Sequence, residues 1–281
     1  LPEPLASDLP AHIAEVKASD RRFIGLELRP TVPGRGRLDL VLNITPLKTA
    51  EKSTRGATIV VDDLTETRRL EAQRRLFERM VSPAVIAQID PQQLQVGGRR
   101  SEITTLFADI RGFTSFSETS DPELLVEILN RHLAAAAEAI LAEDGTIDKF
   151  MGDAVMAWFN APIPQPDHTA RAARAALGIR RAVQALHEEL RPEQRLAFGV
   201  GVHFGEAVLG FIGTHKRLDY TAIGDSVNTA RRLQENALAG QILLSRAAAD
   251  RLEGARWGEG RSLRVEGKEK PIEVVELMDL T

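Results

Sequence analysis

Two aspartates and an asparagine–arginine pair are the residues in this chain whose types and placing point to chemistry. Asp109 closes the apolar run "ITTLFADI", and Asp153 sits in or beside the turn around Gly152 in "GTIDKFMGDAVMAWF". Burying either carboxylate costs free energy. If the two runs are neighbouring strands, a spacing of ~4.8 Å lets both carboxylates ligate the same ions. Hard oxygen donors with no histidine or cysteine nearby in sequence suit Mg2+ or Mn2+ over zinc. Taken alone, each aspartate is equally well explained as a strand end facing water. "RGFT", residues 111–114, follows Asp109 and leads toward a helix, so its backbone amides, those of Phe113 and Thr114 included, can receive phosphate oxygens. In "DYTAIGDSVNTARRLQ", Asn228 and Arg232 stand at i and i+4 on one helical face, while Val227, Ala230 and Leu233 serve the packing side. A surface ion pair is the ordinary alternative for Arg232, and an N-cap is the role expected of Asp225.

The elements that must position these residues alternate between helix and strand. "EITTLFADI" reads as a strand, and Ser120 with Glu123 forms an S-x-x-E signature opening a helix that runs to about Ala142. "GTIDKFMG" and "DAVMAWFNA" are strands on either side of Gly152. A long amphipathic helix over about 167–190 follows, and then two further strand runs, "RLAFGVGVHFG" and "EAVLGFIG". The order β-α-β-β-α-β predicts an α+β, ferredoxin-like unit, an antiparallel sheet with helices on one face.

Upstream, residues 22–62 read as three strands, preceded by a helix in "LASDLPAHIAEVKAS". The exit "VVDDLTETRRLEAQRRL" resembles the end of a PAS sensor domain, and a plain structural β-meander accounts for the same residues. Leu70, Gln73, Phe77 and Met80 follow the 3-4-3 spacing of a coiled-coil seam. A solvated linker helix explains them as well. Pro83, Pro91 and "VGGRR" mark a boundary, giving a sensor segment at 1–63, a helical linker at 64–98 and a catalytic domain at 99–281.

Composition bounds the rest. The 281 residues are 43% hydrophobic and 27% charged, enough for about two globular domains. A net charge of −4 gives no global attraction to nucleic acid or an anionic membrane. No cysteine is present, so disulfides and thiolate metal sites are excluded, and a reducing compartment, the cytoplasm, is the expected setting. No run reaches the ~20 apolar residues of a membrane span. The start at Leu1 reads as a cut in a longer protein, whose anchor, if it has one, lies upstream. The six histidines and two tryptophans show no metal-ligand spacing or stacking array and are assigned to packing or surface.

Together, "EITTLFADIRGFTSFSE", "GTIDKFMGDAVMAWF", "GVGVHFGEAVLGFIG" and "DYTAIGDSVNTARRL" resemble the class III nucleotidyl cyclase catalytic domain, over about residues 99–281. Four blocks in the right order are far more specific than any one motif. The resemblance implies a head-to-tail homodimer with active sites at the subunit interface. Two Mg2+ or Mn2+ ions per site would be held by Asp109 and Asp153 of one chain, helped by the Ile110 carbonyl. Lys149 and Thr221 would contact the base from the other chain, and that chain would likewise contribute Asn228 to orient the ribose and Arg232 to neutralise the attacked phosphate. Lys149 can donate to adenine N1 and Thr221 can accept from the N6 amino group, whereas guanine inverts that pattern, so ATP is the expected substrate. The expected activity is adenylate cyclase; a guanylate cyclase and a catalytically silent nucleotide-binding dimerisation module are the alternatives. Many relatives carry a lysine before Gly267, but Glu266 stands here. Lys268 or Lys270 is left as the substitute, and a high KM for the triphosphate is the expected consequence.

Overall fold

The computed structural model describes residues 4–50, 53–80, 85, 97–214, 217–265, 268 and 270–281. Contacts divide the chain into two compact units, Leu1–Met80 and Val81–Thr281. The boundary expected around Pro83 and Pro91, together with Glu266 and Gly267, lies outside the described residues.

In the first unit, helix α1 (Leu5–Ser19) covers the stretch expected from sequence. Strands β1 (Phe23–Leu28), β4 (Leu40–Lys48) and β5 (Thr54–Asp63) form an antiparallel sheet in the order β1-β4-β5. Between β1 and β4 lies a small hairpin, β2 (Thr31–Val32) and β3 (Gly36–Arg37). Leu28, Leu40, Leu42 and Ile44 pack with Leu5 and Val16 to give this unit its own core. Helix α2 (Thr65–Met80) is clamped at its start, where Arg68 pairs with Glu27 at 2.6 Å and Asp39 at 3.3 Å. Leu70, one of the four seam positions, is 58% exposed. The side chains of Phe77 and Met80 are outside the described residues.

The second unit is built on β6 (Gly97–Arg111), β7 (Thr146–Met151), β8 (Ala154–Phe159) and β9 (Ala197–Thr214), with the internal order β9-β6-β8-β7. All three pairings are antiparallel, as a βαββαβ unit requires. Strand β10 (Arg217–Ile223) folds back on β9. Strand β11 (Ile242–Ser245) pairs with β9 in parallel, and β13 (Ile272–Leu280) and β12 (Ala255–Leu263) extend the sheet beyond it. The two runs expected on either side of residue 205 are one strand, because β6 pairs continuously along β9 from Ala197 to Phe211.

Side-chain alternation divides β6 between two cores. Leu106, Ala108 and Ile110 face the core shared with helices α4 (Pro122–Ala142) and α5 (His168–Glu189), while Ile103 and Phe107 face helix α6 (Asp225–Glu235). Helices therefore cover both faces, which corrects the one-face expectation: the βαββαβ pattern accounts for α4 and α5, whereas α6 follows the extra strand β10. The buried stripe Ile128, His132, Ala136 and Ile140 of α4 repeats every four residues, and the alanines of α5 at 172, 173, 175 and 176 let the pair approach closely.

Two cap assignments also change. A short helix, α3 (Phe113–Thr119), precedes α4 and ends at Ser120. Asp121 caps α4, accepting from the Glu123 N–H at 2.9 Å and the Leu124 N–H at 3.4 Å, with Pro122 in the first turn. Ser120 is thus one residue too early, and the carboxylate has the better reach. At α6 the cap residue is Gly224, with φ 146°, and Asp225 is the first helical residue. Its carboxylate meets the Lys268 ammonium instead.

Candidate active site

The pair of aspartates, Asp109 and Asp153, is assembled by strand neighbours and a tight turn. Asp109 lies opposite Ala154, the residue after Asp153. Gly152, at φ 69°, supplies the left-handed backbone that lets β7 return as β8. The turn is tied to β6, since the Ile110 N–H donates to the Asp153 carbonyl at 3.2 Å. Asp109 and Asp153 are both half-buried. Burial pushes the Asp109 carboxyl above its ordinary range, and the Asp153 charge pushes it further. The Arg111 guanidinium pulls it back, and Glu235 adds a smaller push. A half-buried carboxylate whose charge is disfavoured by its neighbour is one that a divalent cation would relieve. Among the described residues no group of three or more histidine or carboxylate side chains gathers around one point. Any ion here would need backbone oxygen as well.

Arg111 is the residue that the sequence reading passed over in "RGFT". Its Nη1 lies 3.2 Å from Asp109 Oδ1, and its Nη2 donates to the Gln234 carbonyl near the end of α6. It crosses above Gly199, where a Cβ would lie 2.4 Å from Arg111 Nε. Phe113 and Thr114 follow Gly112, whose φ of 77° turns the chain from β6 into α3. As first-turn residues, their N–H groups have no acceptor within the helix.

On α6, Val227, Ala230 and Leu233 are buried, as the helical spacing predicts. Asn228 is exposed on the opposite face. Arg232 is about a third exposed and its Nη1 lies 2.8 Å from Glu235 Oε2, so the ion pair weighed from sequence is present. The helix rests on a smooth track: at Gly201 a Cβ would stand 2.3 Å from the Gln234 backbone nitrogen and 2.4 Å from the Ala230 carbonyl oxygen. The period-two glycines in "GVGVHFG" were the available signal for that track.

Lys149 and Thr221 are brought together by a residue not singled out from sequence. The Asp148 side chain, 2% exposed, accepts a hydrogen bond from Thr221 Oγ1 at 2.6 Å and places Oδ1 3.6 Å from Lys149 Nζ. Asp109 lies opposite Gly199, whereas Thr221 lies opposite Gly210, eleven residues further along β9. His132, His168 and Trp158 are buried in hydrogen bonds with Ile128 O, Thr104 Oγ1 and Ala161 O, at 2.8, 2.8 and 2.9 Å. Their roles are in packing.

Residues 96–277 match the family model described as the adenylate and guanylate cyclase catalytic domain. "Adenylate cyclase 1" of Rhizobium meliloti (strain 1021) is 42% identical over 145 residues, covering 49% of this chain and 22% of that protein. The crystal structure of the guanylyl cyclase Cya2 is similar with a TM-score of 0.63 and 32% identity, covering 66% of this chain and 96% of that one. The adenylyl cyclase CyaB from P. aeruginosa gives a TM-score of 0.62 and 30% identity, covering 66% and 98%. The chain spans half or less of the length of the curated relatives it matches. Because the family model matches about two thirds of the chain, residues 96–277, and these solved structures share its fold, the chain belongs to the adenylate and guanylate cyclase catalytic-domain family.

Proposed function

We propose that the chain carries the catalytic part of an adenylate cyclase, converting ATP to 3′,5′-cyclic AMP and pyrophosphate at sites shared between two copies. The observation that carries this reading is the convergence of Asp109 and Asp153 at adjoining strand ends. In the reaction the ribose 3′-oxygen bonds to the α-phosphorus, and the bond to the pyrophosphate oxygen breaks. Two Mg2+ or Mn2+ ions held by Asp109, Asp153 and the Ile110 carbonyl would lower the pKa of the 3′-hydroxyl and offset the triphosphate charge. Asn228 of the second copy holds the ribose in the attacking pose, and the Arg232 guanidinium of that same copy meets charge developing on the attacked phosphate. The first-turn amides of Phe113 and Thr114 receive phosphate oxygens.

The offset along β9 between Asp109 and Thr221 favours sites completed by a second chain, head to tail, so that Lys149 and Thr221 of one copy read the base of a nucleotide whose phosphates lie on the partner's carboxylates. Helix α2, clamped to the sheet of the first unit, gives a PAS-like segment a lever for regulating how two catalytic domains meet. Among the described residues no helix is long and apolar enough to cross a membrane. The setting we favour is the cytoplasm.

Guanylate cyclase activity draws on the likeness to Cya2. Steady-state turnover of ATP and GTP with Mn2+ separates the readings. The expected result is a kcat/KM for ATP about tenfold or more above that for GTP. A preference for GTP overturns the assignment of the base contacts. Turnover of neither nucleotide overturns the enzyme reading and leaves a binding module.

A further inference from the structure

Asp148 is a buried charge that the reaction scheme above does not use. It sits at a break in the register of β7: Ile147 pairs with Ala157 and Lys149 with Met156, leaving Asp148 as the additional residue. Regular alternation would send Asp148 and Lys149 to opposite faces of the sheet. A bulge re-aims side chains, and here the Asp148 carboxylate reaches β10, meeting Thr221 at 2.6 Å while the Lys149 ammonium stays 3.6 Å from its other oxygen. Thr221 is itself only 9% exposed, so few other partners can reach its hydroxyl. Burial pushes the Asp148 carboxyl above its ordinary range, against the opposing pull of the Thr221 hydrogen bond and the Lys149 ammonium.

The consequence lies in the polarity of one hydroxyl. A threonine has a single hydroxyl hydrogen and two oxygen lone pairs. With the hydrogen held by Asp148, Thr221 has only lone pairs to offer a ligand, while the Lys149 ammonium offers only donors. That edge fits a base presenting an amino donor beside a ring-nitrogen acceptor, the pattern of adenine at N6 and N1. Guanine presents a carbonyl acceptor and an N–H donor at the same positions, and would leave buried groups without partners. We propose that Asp148 is a positioning residue that locks Thr221 as a hydrogen-bond acceptor and thereby sets the preference for ATP over GTP. This rests on the reading of Lys149 and Thr221 as the base contacts.

The test compares the intact chain with Asp148→Asn, Thr221→Val and the double variant, measuring kcat and KM for ATP and GTP with Mn2+ and checking folding by circular dichroism. An asparagine of the same shape can donate to the Thr221 oxygen and release its hydrogen toward the base. Asp148→Asn is therefore expected to lower the ATP:GTP ratio of kcat/KM about tenfold, mainly through a higher KM for ATP. In the Thr221→Val background the same change is expected to move the ratio by less than about twofold, because the hydroxyl it controls is gone. A measurement that needs no variant accompanies these: purine riboside triphosphate, which lacks the 6-amino donor, is expected to show a KM about tenfold above that of ATP with the intact chain. The proposal is overturned by an unchanged ratio in folded Asp148→Asn, by an equal fall in the Thr221→Val background, or by equal KM values for the two purines. An intact chain that prefers ATP while Asp148→Asn keeps the same preference removes Asp148 alone. An intact chain that turns over neither nucleotide overturns both this proposal and the cyclase reading.

Discussion

Asp109→Asn is expected to lower ATP turnover on the order of 10³-fold or more while leaving the melting temperature of the ion-free protein within a few degrees of the original. The loss follows from the number of donors. Asp109 and Asp153 are the two carboxylates proposed to hold the ions, so neutralising one removes half of that charge, and such cations supply several kcal/mol of transition-state stabilisation. The small effect on stability follows from two opposed terms. An amide in place of the carboxylate removes a partly buried charge that Asp153 and Glu235 disfavour, but it also deprives Arg111 of a partner at 3.2 Å. Ion binding distinguishes the two proteins further: Mn2+ is expected to raise the melting temperature of the original chain by mass action and that of the variant far less. A variant that keeps a tenth of the original activity would remove Asp109 from the site.

Gly201→Ala is the second change with a large expected effect, and it touches no substrate. The new Cβ would press on backbone atoms of α6, 2.3 Å from a nitrogen and 2.4 Å from a carbonyl oxygen, so a side-chain rotation cannot relieve it. Either β9 or the helix has to move. Overpacking of this kind typically costs about 1–3 kcal/mol. Because Asn228 and Arg232 ride on the same helix, their displacement by a fraction of an ångström to one ångström is expected to lower kcat about 10²-fold. Thermal melting and steady-state kinetics check both parts. A variant with unchanged melting and unchanged kcat would show that α6 does not depend on the bare backbone of β9.

The elements with strong periodicity were legible in the sequence. Helix α1 falls on the expected stretch, α4 ends at Ala142 as read, and the β7–β8 hairpin turns at Gly152. What sequence hid were features that depend on a partner. Ser120 carries a capping signature, but Asp121 beside it has the shorter route to the same amides. Asp225 resembles a cap until Lys268, 43 residues away, competes for its carboxylate. Strand β9 reads as two runs because Gly205 interrupts its apolar pattern, and only pairing with β6 shows it to be continuous. Asp148 was overshadowed by its neighbour Lys149: alternation assigns the two to opposite faces, and the bulge that unites them is a property of register with β8. The same holds for Arg111, whose contact with the Gln234 carbonyl joins residues 123 positions apart.

The proposal that two copies share each site is tested most directly by mixing two variants expected to be inactive. Asp109→Asn removes a proposed metal-binding carboxylate of one chain and Asn228→Ala the proposed ribose contact from the other, so each homodimer is expected to have two broken sites. After subunit exchange, confirmed by co-purification of differently tagged chains, each heterodimer carries one site with both defects and one with neither. Random pairing is then predicted to restore about a quarter of the original activity. Activity that stays at the level of the separate variants after confirmed exchange would contradict the account, because it would mean that each chain builds its site alone.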